Sequence, residues 1–180
     1  MAVRPKRRLE FQIDKLTRSV ENLATGESFE TKGIQLTLND KQLLKLSKWS
    51  FNWEHDLNQV DREVYGLVLR NSFNLLQGLA SAEAFSDHLY LHLLESASFN
   101  RGPEKRYAGV AGNLVAFLCK VSFEKRFRGN LVFEPKTKLI RHYEESLGAK
   151  RITRSRMFIG TPEARRLVLQ YYPDFPYDQF

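Results

Sequence analysis

The sequence predicts an α+β, mixed α/β fold: a mostly antiparallel twisted sheet with one parallel strand–helix–strand crossover and helices on both faces. Two observations predict it. Three strand-like runs, residues 63–70, 75–84 and 88–97, follow one another across polar breaks too short for anything but antiparallel connections. Then Val110, Leu114, Phe117, Leu118 and Val121 fall on one helical stripe ahead of an apolar strand at 130–134. A helix between two strands of one sheet makes them parallel neighbours, so 88–97 and 130–134 should pair that way.

The remaining elements follow in chain order. Leu9, Phe11 and Ile13 alternate with polar neighbours, the period of a half-buried strand. Thr25-Gly26-Glu27-Ser28 is a turn cluster, after which 29–38 should pair back as a second strand. Asn39-Asp40 caps a short helix over 41–48 with Leu43, Leu44 and Leu46 inward. The stretch Trp49-Ser50-Phe51-Asn52-Trp53-Glu54-His55-Asp56 has no clear period. Past the crossover, Thr137 caps a helix carrying Leu139, Ile140, Tyr143 and Leu147, which Gly148 stops. Residues 151–159 read as one or two strands. Thr161-Pro162-Glu163 opens a last helix with Leu167, Val168 and Tyr171 inward, its proline in the tolerant first turn.

With no repeat and no linker, residues 9–180 read as one domain behind a basic flexible tail, 1–8. The chain has 180 residues, enough for one sizeable core, and its 42% apolar and 27% charged content is that of a soluble globular protein. No apolar run reaches bilayer length, so no membrane partner is expected. The basic start has no apolar stretch behind it and does not read as a secretory signal. The lone Cys119 excludes an internal disulfide and a cysteine-rich zinc site, and fits a reducing, cytoplasmic setting. Of the net charge of +7, Arg4, Lys6, Arg7 and Arg8 supply four. A mildly basic body suits an anionic cofactor, and nucleic acid stays open as a partner.

The chemistry centres on Arg106-Tyr107-Ala108-Gly109-Val110-Ala111, where a loop opens the crossover helix. A helix start offers free backbone N–H groups and the positive end of the macrodipole. Gly109, Ala111 and Gly112 would let a phosphate approach closely, and Lys105 and Arg106 add cations. A tight strand-to-helix turn without a ligand accounts for the small residues equally well.

Arg106-x-x-Gly109-x-Ala111 resembles the Arg/Gln-x-x-Gly-x-Gly/Ala signature of the GNAT N-acetyltransferase superfamily, which wraps the pyrophosphate of acetyl-CoA. The resemblance runs from about residue 63 to the C-terminus. The strand with Gln77-Gly78 is similar to the family's third and 88–97 to its fourth, whose backbone pairs with the pantetheine arm. Residues 130–134 are similar to the fifth. Lys136-x-x-Leu139-x-x-x-Tyr143, followed by Leu147-Gly148-Ala149, is similar to the family's Asn-x-x-Ala-x-x-x-Tyr and closing Gly-Phe. The chain departs from the pattern at Lys136, in the five-residue step from Tyr143 to Gly148, and in a long segment at 98–105. The first third is atypical.

The resemblance implies acetyl-CoA or another acyl-CoA as co-substrate, with no metal. It implies a cofactor site of Leu94, Ser96, Arg106, Tyr107, Ala108, Gly109, Val110, Ala111, Gly112 and Lys136. It also implies direct acyl transfer to an amine-bearing acceptor, small molecule or macromolecule. Tyr143 would protonate the departing sulfur, a role compatible with a phenol pKa of about 10. Its place on an apolar stripe leaves a core role open as well. Glu95, on the fourth strand, is the candidate general base, with a wet-face position the plainer alternative. Asp56 and Glu54 are alternative bases, and Trp49, Phe51 and Trp53, with Asp56, would wall the acceptor pocket, the three rings covering the sheet edge as core being the equal alternative. Dimers are frequent in the family, so a homodimer is admitted.

Other constellations are weak. His88 and His92 lie on a strand with no third ligand. Cys119 sits in the amphipathic helix as a packed thiol. Ser50, Ser96 and Ser98 have no triad spacing. Two other functions stay open: a non-catalytic acyl-CoA sensor, and a basic nucleic-acid-binding domain.

Overall fold

The computed structural model describes residues 8–17 and 19–180. The expected basic tail therefore lies, apart from Arg8, outside the described residues. Among them no helix is long and apolar enough to cross a membrane.

A seven-stranded sheet organises the chain, in the order β3-β4-β5-β6-β8-β10-β9. Its centre is the antiparallel meander β4 (Glu63–Leu69), β5 (Ser72–Ala84) and β6 (Leu89–Ser96), as the short breaks between those runs require. The crossover helix α3 (Val110–Glu124) returns the chain to β8 (Leu131–Phe133), which pairs with β6 in parallel. A hairpin of β9 (Lys150–Arg151) and β10 (Met157–Ile159) closes that edge. Between β8 and the hairpin lies α4 (Ile140–Leu147), ended by Gly148 in the left-handed conformation as expected. The last helix is α5 (Thr161–Tyr171), with its proline in the first turn.

Helices cover both sheet faces. On one, α3 packs with α5 over Tyr65, Leu67, Ala80, Ala82, Leu89 and Leu91. On the other, α1 (Lys41–Leu44) and α2 (Trp53–Leu57) bring Leu44 and Trp53 onto Val64, Val68, Leu76, Leu79 and Leu93. Because both faces are covered, β5 is buried continuously from Leu76 to Ala82 rather than in alternation.

The N-terminal third departs from the expected pairing. Residues 8–13 bury Leu9 and Ile13 in the predicted alternation yet form no strand; a single bridge joins Leu9 to Pro135. The run at 29–38 does not pair back on them. It gives β2 (Ser28–Phe29) and β3 (Thr31–Leu36), and β3 joins β4 at the edge of the main sheet. β2 pairs with β1 (Val20–Asn22), which in turn pairs with β7 (Tyr107–Ala108) to make a small second sheet. Period alone places a strand's face, whereas its partner is a tertiary choice. The first helix is shorter than expected. The aperiodic 49–56 stretch supplies α2, capped by the Asn52 side chain, which accepts from His55 N at 3.1 Å.

Candidate active site

The parallel pairing of β6 and β8 lasts three residues, Leu89 with Leu131, Tyr90 with Val132 and Leu91 with Phe133. Beyond Leu91 the strands part, and that edge of β6 has no strand partner among the described residues. The opening leads to a cavity of about 780 Å³, within the range of small-molecule sites. Leu93, Leu94, Glu95 and Ser96 form one wall, Val110 and Ala111 an end, and Lys136 and Lys138 a basic rim. Of the residues expected at a cofactor, the parting strands thus bring together Leu94, Ser96, Val110, Ala111 and Lys136.

The loop ahead of α3 is built as a strand-to-helix turn. Gly109 is the N-cap residue with φ of +91°, a conformation costly for any residue with a Cβ. Tyr107 and Ala108 pair with Asn22 and Glu21 of β1, and Arg106 O accepts from Leu23 N at 3.0 Å. Arg106 itself is exposed, its guanidinium 5.3 Å from the centre of the Phe99 ring. Asn100, buried and unremarked in the sequence, braces the turn. Its amide donates to Gln77 O at 3.1 Å and Gln77 Oε1 at 3.0 Å, and its oxygen accepts from Tyr107 N at 3.2 Å.

The close approach at the two small positions is corrected by the structure: the chain itself makes it. A Cβ on Gly109 would stand 2.9 Å from Thr17 Oγ1 and 3.2 Å from Ser19 O. One on Gly112 would stand 2.8 Å from Leu16 Cδ2 and 3.1 Å from Lys15 O. Gly109 N, the donor aimed outward from the helix start, donates to Asp14 Oδ1 at 3.0 Å, and Lys105 Nζ lies 2.7 Å from Asp14 Oδ2. The anion at this helix start is a carboxylate from 95 residues upstream.

Glu95 lies inside, not on a wet face, and its carboxylate is an acceptor hub. Oε1 accepts from Ser50 N at 2.6 Å; Oε2 accepts from Phe51 N at 3.3 Å and Trp53 Nε1 at 2.9 Å. The Arg101 guanidinium is 3.3 Å away, and its Nη1 also donates to Ser50 Oγ at 3.0 Å. These donors use Glu95 to hold residues 50–53 against β6 and engage three of the roughly four acceptor sites that a general base would offer a substrate proton.

The aromatic acceptor wall is corrected too. Trp53 is core, 2% exposed, with Trp49 and Phe51 edge-on to it at 6.4 Å. The Trp49 indole donates to Leu44 O at 2.9 Å. Asp56 is buried against Arg62 at 3.4 Å. Of the four, Phe51 reaches the cavity.

Tyr143 is fully buried, with Phe11 and Phe133 rings at 4.9 and 5.4 Å. Its hydroxyl donates to Phe11 O, and burial raises its pKa well above the usual phenol value. It is a core residue that does not line the cavity, its hydroxyl engaged by Phe11 O. Elsewhere, burial pushes the Cys119 thiol up to about 12, so it stays a protonated packing group. His92 Nε2 is 2.7 Å from Glu83 and His88 Nδ1 2.7 Å from Asp87. Among the described residues no group of three or more His, Cys, Asp or Glu is arranged to hold a metal ion.

Sequence reasoning missed Asp14, Asn100 and Arg101. Asp14 and Arg101 are ordinary exposed polar residues in local context, and Asn100 lay in the long 98–105 segment.

The mixed, mostly antiparallel sheet with its covering helices matches solved GNAT acetyltransferases in fold. The chain is similar to AtaTR bound with acetyl-CoA, with a TM-score of 0.55 at 16% identity over 77% of this chain and 98% of that one. It is likewise similar to the spermidine/spermine N-acetyltransferase SpeG from Vibrio cholerae, with a TM-score of 0.55 at 12% identity over 76% and 98%. A GNAT-family acetyltransferase from Staphylococcus aureus Mu50 gives 0.51 at 10% identity over 73% and 99%. At these identities the likeness is one of fold. No family model matches the sequence, and no curated protein does.

Proposed function

We propose that this protein is an acyl-CoA-dependent N-acyltransferase, moving an acetyl or other short acyl group from coenzyme A to an amine. The observation that carries the reading is the parted β6–β8 edge, which opens a cavity running to the N-terminus of α3. The edge of residues 93–96 that β8 leaves, opposite their pairing with β5, suits the amides of a pantetheine arm. The helix start and Lys105 suit a diphosphate, with Lys136 on the rim. AtaTR bound with acetyl-CoA has the same fold and supports that co-substrate. SpeG, a spermidine/spermine N-acetyltransferase, supports an amine acceptor.

In this reading the neutral acceptor amine attacks the thioester carbonyl, the C–N bond forms and the C–S bond breaks; the nitrogen loses one proton to solvent and the released thiolate takes one up, so the exchange balances. Tyr143 is the candidate hydrogen-bond donor to that sulfur once its hydroxyl leaves Phe11 O, while burial, which raises its pKa, opposes its full ionisation. Glu95 anchors the 50–53 segment, and Phe51 on it offers the acceptor an apolar contact.

Calorimetry with acetyl-CoA tests the site, and thiol release over a panel of amines tests the reaction. Binding with amine-dependent thiol release is expected. Binding without release for any amine points to a sensor. No binding, in the wild type or in variants that open the groove, overturns the reading.

A further inference from the structure

Residues 8–17 cross the groove that the previous reading assigns to coenzyme A, and several of their anchors, Lys105, Gly109 N and Lys136 among them, are ones the co-substrate would need. The register shows it first. Along β8 the parallel ladder pairs Leu131 with Leu89 and Phe133 with Leu91; the next step, Pro135, would fall to Leu93. Pro135 bridges Leu9 instead. Leu9 N donates to Glu134 O and Lys136 N donates to Leu9 O, both at 2.8 Å, along the side of β8 that β6 has left. The segment is a wedge in the parted strands and forms the wall of the cavity opposite β6.

Its polar contacts continue toward α3. Glu10 pairs with Lys136, and with Lys138 at 3.5 Å. Phe11 O takes the Tyr143 hydroxyl, and Ile13 N donates to His142 Nε2 at 2.9 Å. Asp14 then places a carboxylate on Gly109 N and Lys105, the position and partners of a bound anion. Leu9 and Ile13 are buried and Phe11 and Leu16 half-buried against the core, while Glu10, Gln12, Asp14 and Lys15 are exposed. A segment joined to the sheet by one bridge, and otherwise held by four apolar side chains and partly wet ion pairs, opens at lower cost than the sheet behind it.

We propose that residues 8–17 are an autoinhibitory strap that competes with acyl-CoA, Asp14 standing in for the diphosphate and Leu9 wedging the groove. The proposal rests on the coenzyme A reading of the groove. Binding acyl-CoA requires the strap to leave, so the apparent affinity is the intrinsic one reduced by the fraction of open molecules. Departure also frees the Tyr143 hydroxyl from Phe11 O and Lys105 from Asp14, so the donor and the cation are released by the same event.

The test uses the full-length chain, with acetyl-CoA titrated by calorimetry and amide hydrogen exchange followed at Leu9 and Gly109. Asp14→Ala should bind acetyl-CoA about tenfold more tightly than the wild type, because one charge-assisted anchor of the closed state is gone. Lys15→Ala, which removes a side chain paired with Glu21, should bind as the wild type does. Saturating acetyl-CoA should speed exchange at Leu9 and slow it at Gly109. Binding that leaves Leu9 exchange unchanged, or an Asp14→Ala affinity within twofold of the wild type, overturns the strap alone. If neither wild type nor Asp14→Ala binds, the coenzyme A site falls, and the strap with it.

Discussion

Replacing Glu95 separates an anchor from a base. In Glu95→Ala the Trp53 indole N–H, on a side chain 2% exposed, loses its acceptor with no water to replace it, costing about 1–3 kcal/mol. The Ser50 and Phe51 amides lie nearer solvent and rehydrate in part, adding about 0.5–1 kcal/mol each. The Arg101 contact adds at most about 1 kcal/mol, since that side chain is 42% exposed. The sum is about 2–6 kcal/mol. Glu95→Gln keeps one carbonyl oxygen but turns an amide N–H toward a donor, so about 1–2 kcal/mol is expected. Urea unfolding followed by tryptophan fluorescence reads both, with Trp53 as reporter, beside thiol release on the same samples. An anchor predicts the stability order wild type, Gln, Ala, with turnover of Glu95→Gln within about tenfold of the wild type. A Glu95→Gln protein as stable as the wild type with turnover down about 1,000-fold would identify a base and refute the anchor.

Tyr143→Phe should lower stability by about 1 kcal/mol through loss of the bond to Phe11 O, and lower turnover far more than acetyl-CoA affinity. Unchanged turnover in steady-state kinetics would remove Tyr143 from the reaction. Gly109→Ala should cost about 1–3 kcal/mol in thermal unfolding, since it adds a Cβ to a residue at φ +91° and 2.9 Å from Thr17 Oγ1. His92 should make stability fall below about pH 6.5. Burial lowers its folded pKa, so the unfolded chain takes the proton first, and stability present above 6.5 is lost as pH drops toward the folded value. Denaturant titrations should show His92→Gln with a flatter profile there, the difference not exceeding about 1.4 kcal/mol per pH unit.

How far the sequence reached depends on the range of the interaction. The meander of β4 to β6, the crossover through α3 and the parallel placing of β8 are written in hydrophobic period and break length, both local properties, and all three stand. So do the stop of α4 at Gly148 and the proline-led start of α5. At 8–13 the period correctly named Leu9 and Ile13 as buried, yet it carried no information on the neighbour, because alternation marks a face and not a partner. The site divides the same way. That Leu94, Ser96, Val110, Ala111 and Lys136 line one cavity follows from a motif and a strand edge that are contiguous in sequence. Glu95 was readable as important, though not as a hub for Ser50, Phe51 and Trp53, since the donors arrive from a segment with no period at all.

By itself, then, the sequence determined the order of elements, the faces they bury and the glycine turn that opens α3. Only the tertiary structure decided what meets that turn. Asp14 reaches Gly109 across 95 residues and Phe11 receives Tyr143 across 132, and contacts so distant leave no spacing to read. Their energies come from burial and partner geometry, which exist only once the strands have parted and the strap has found the gap.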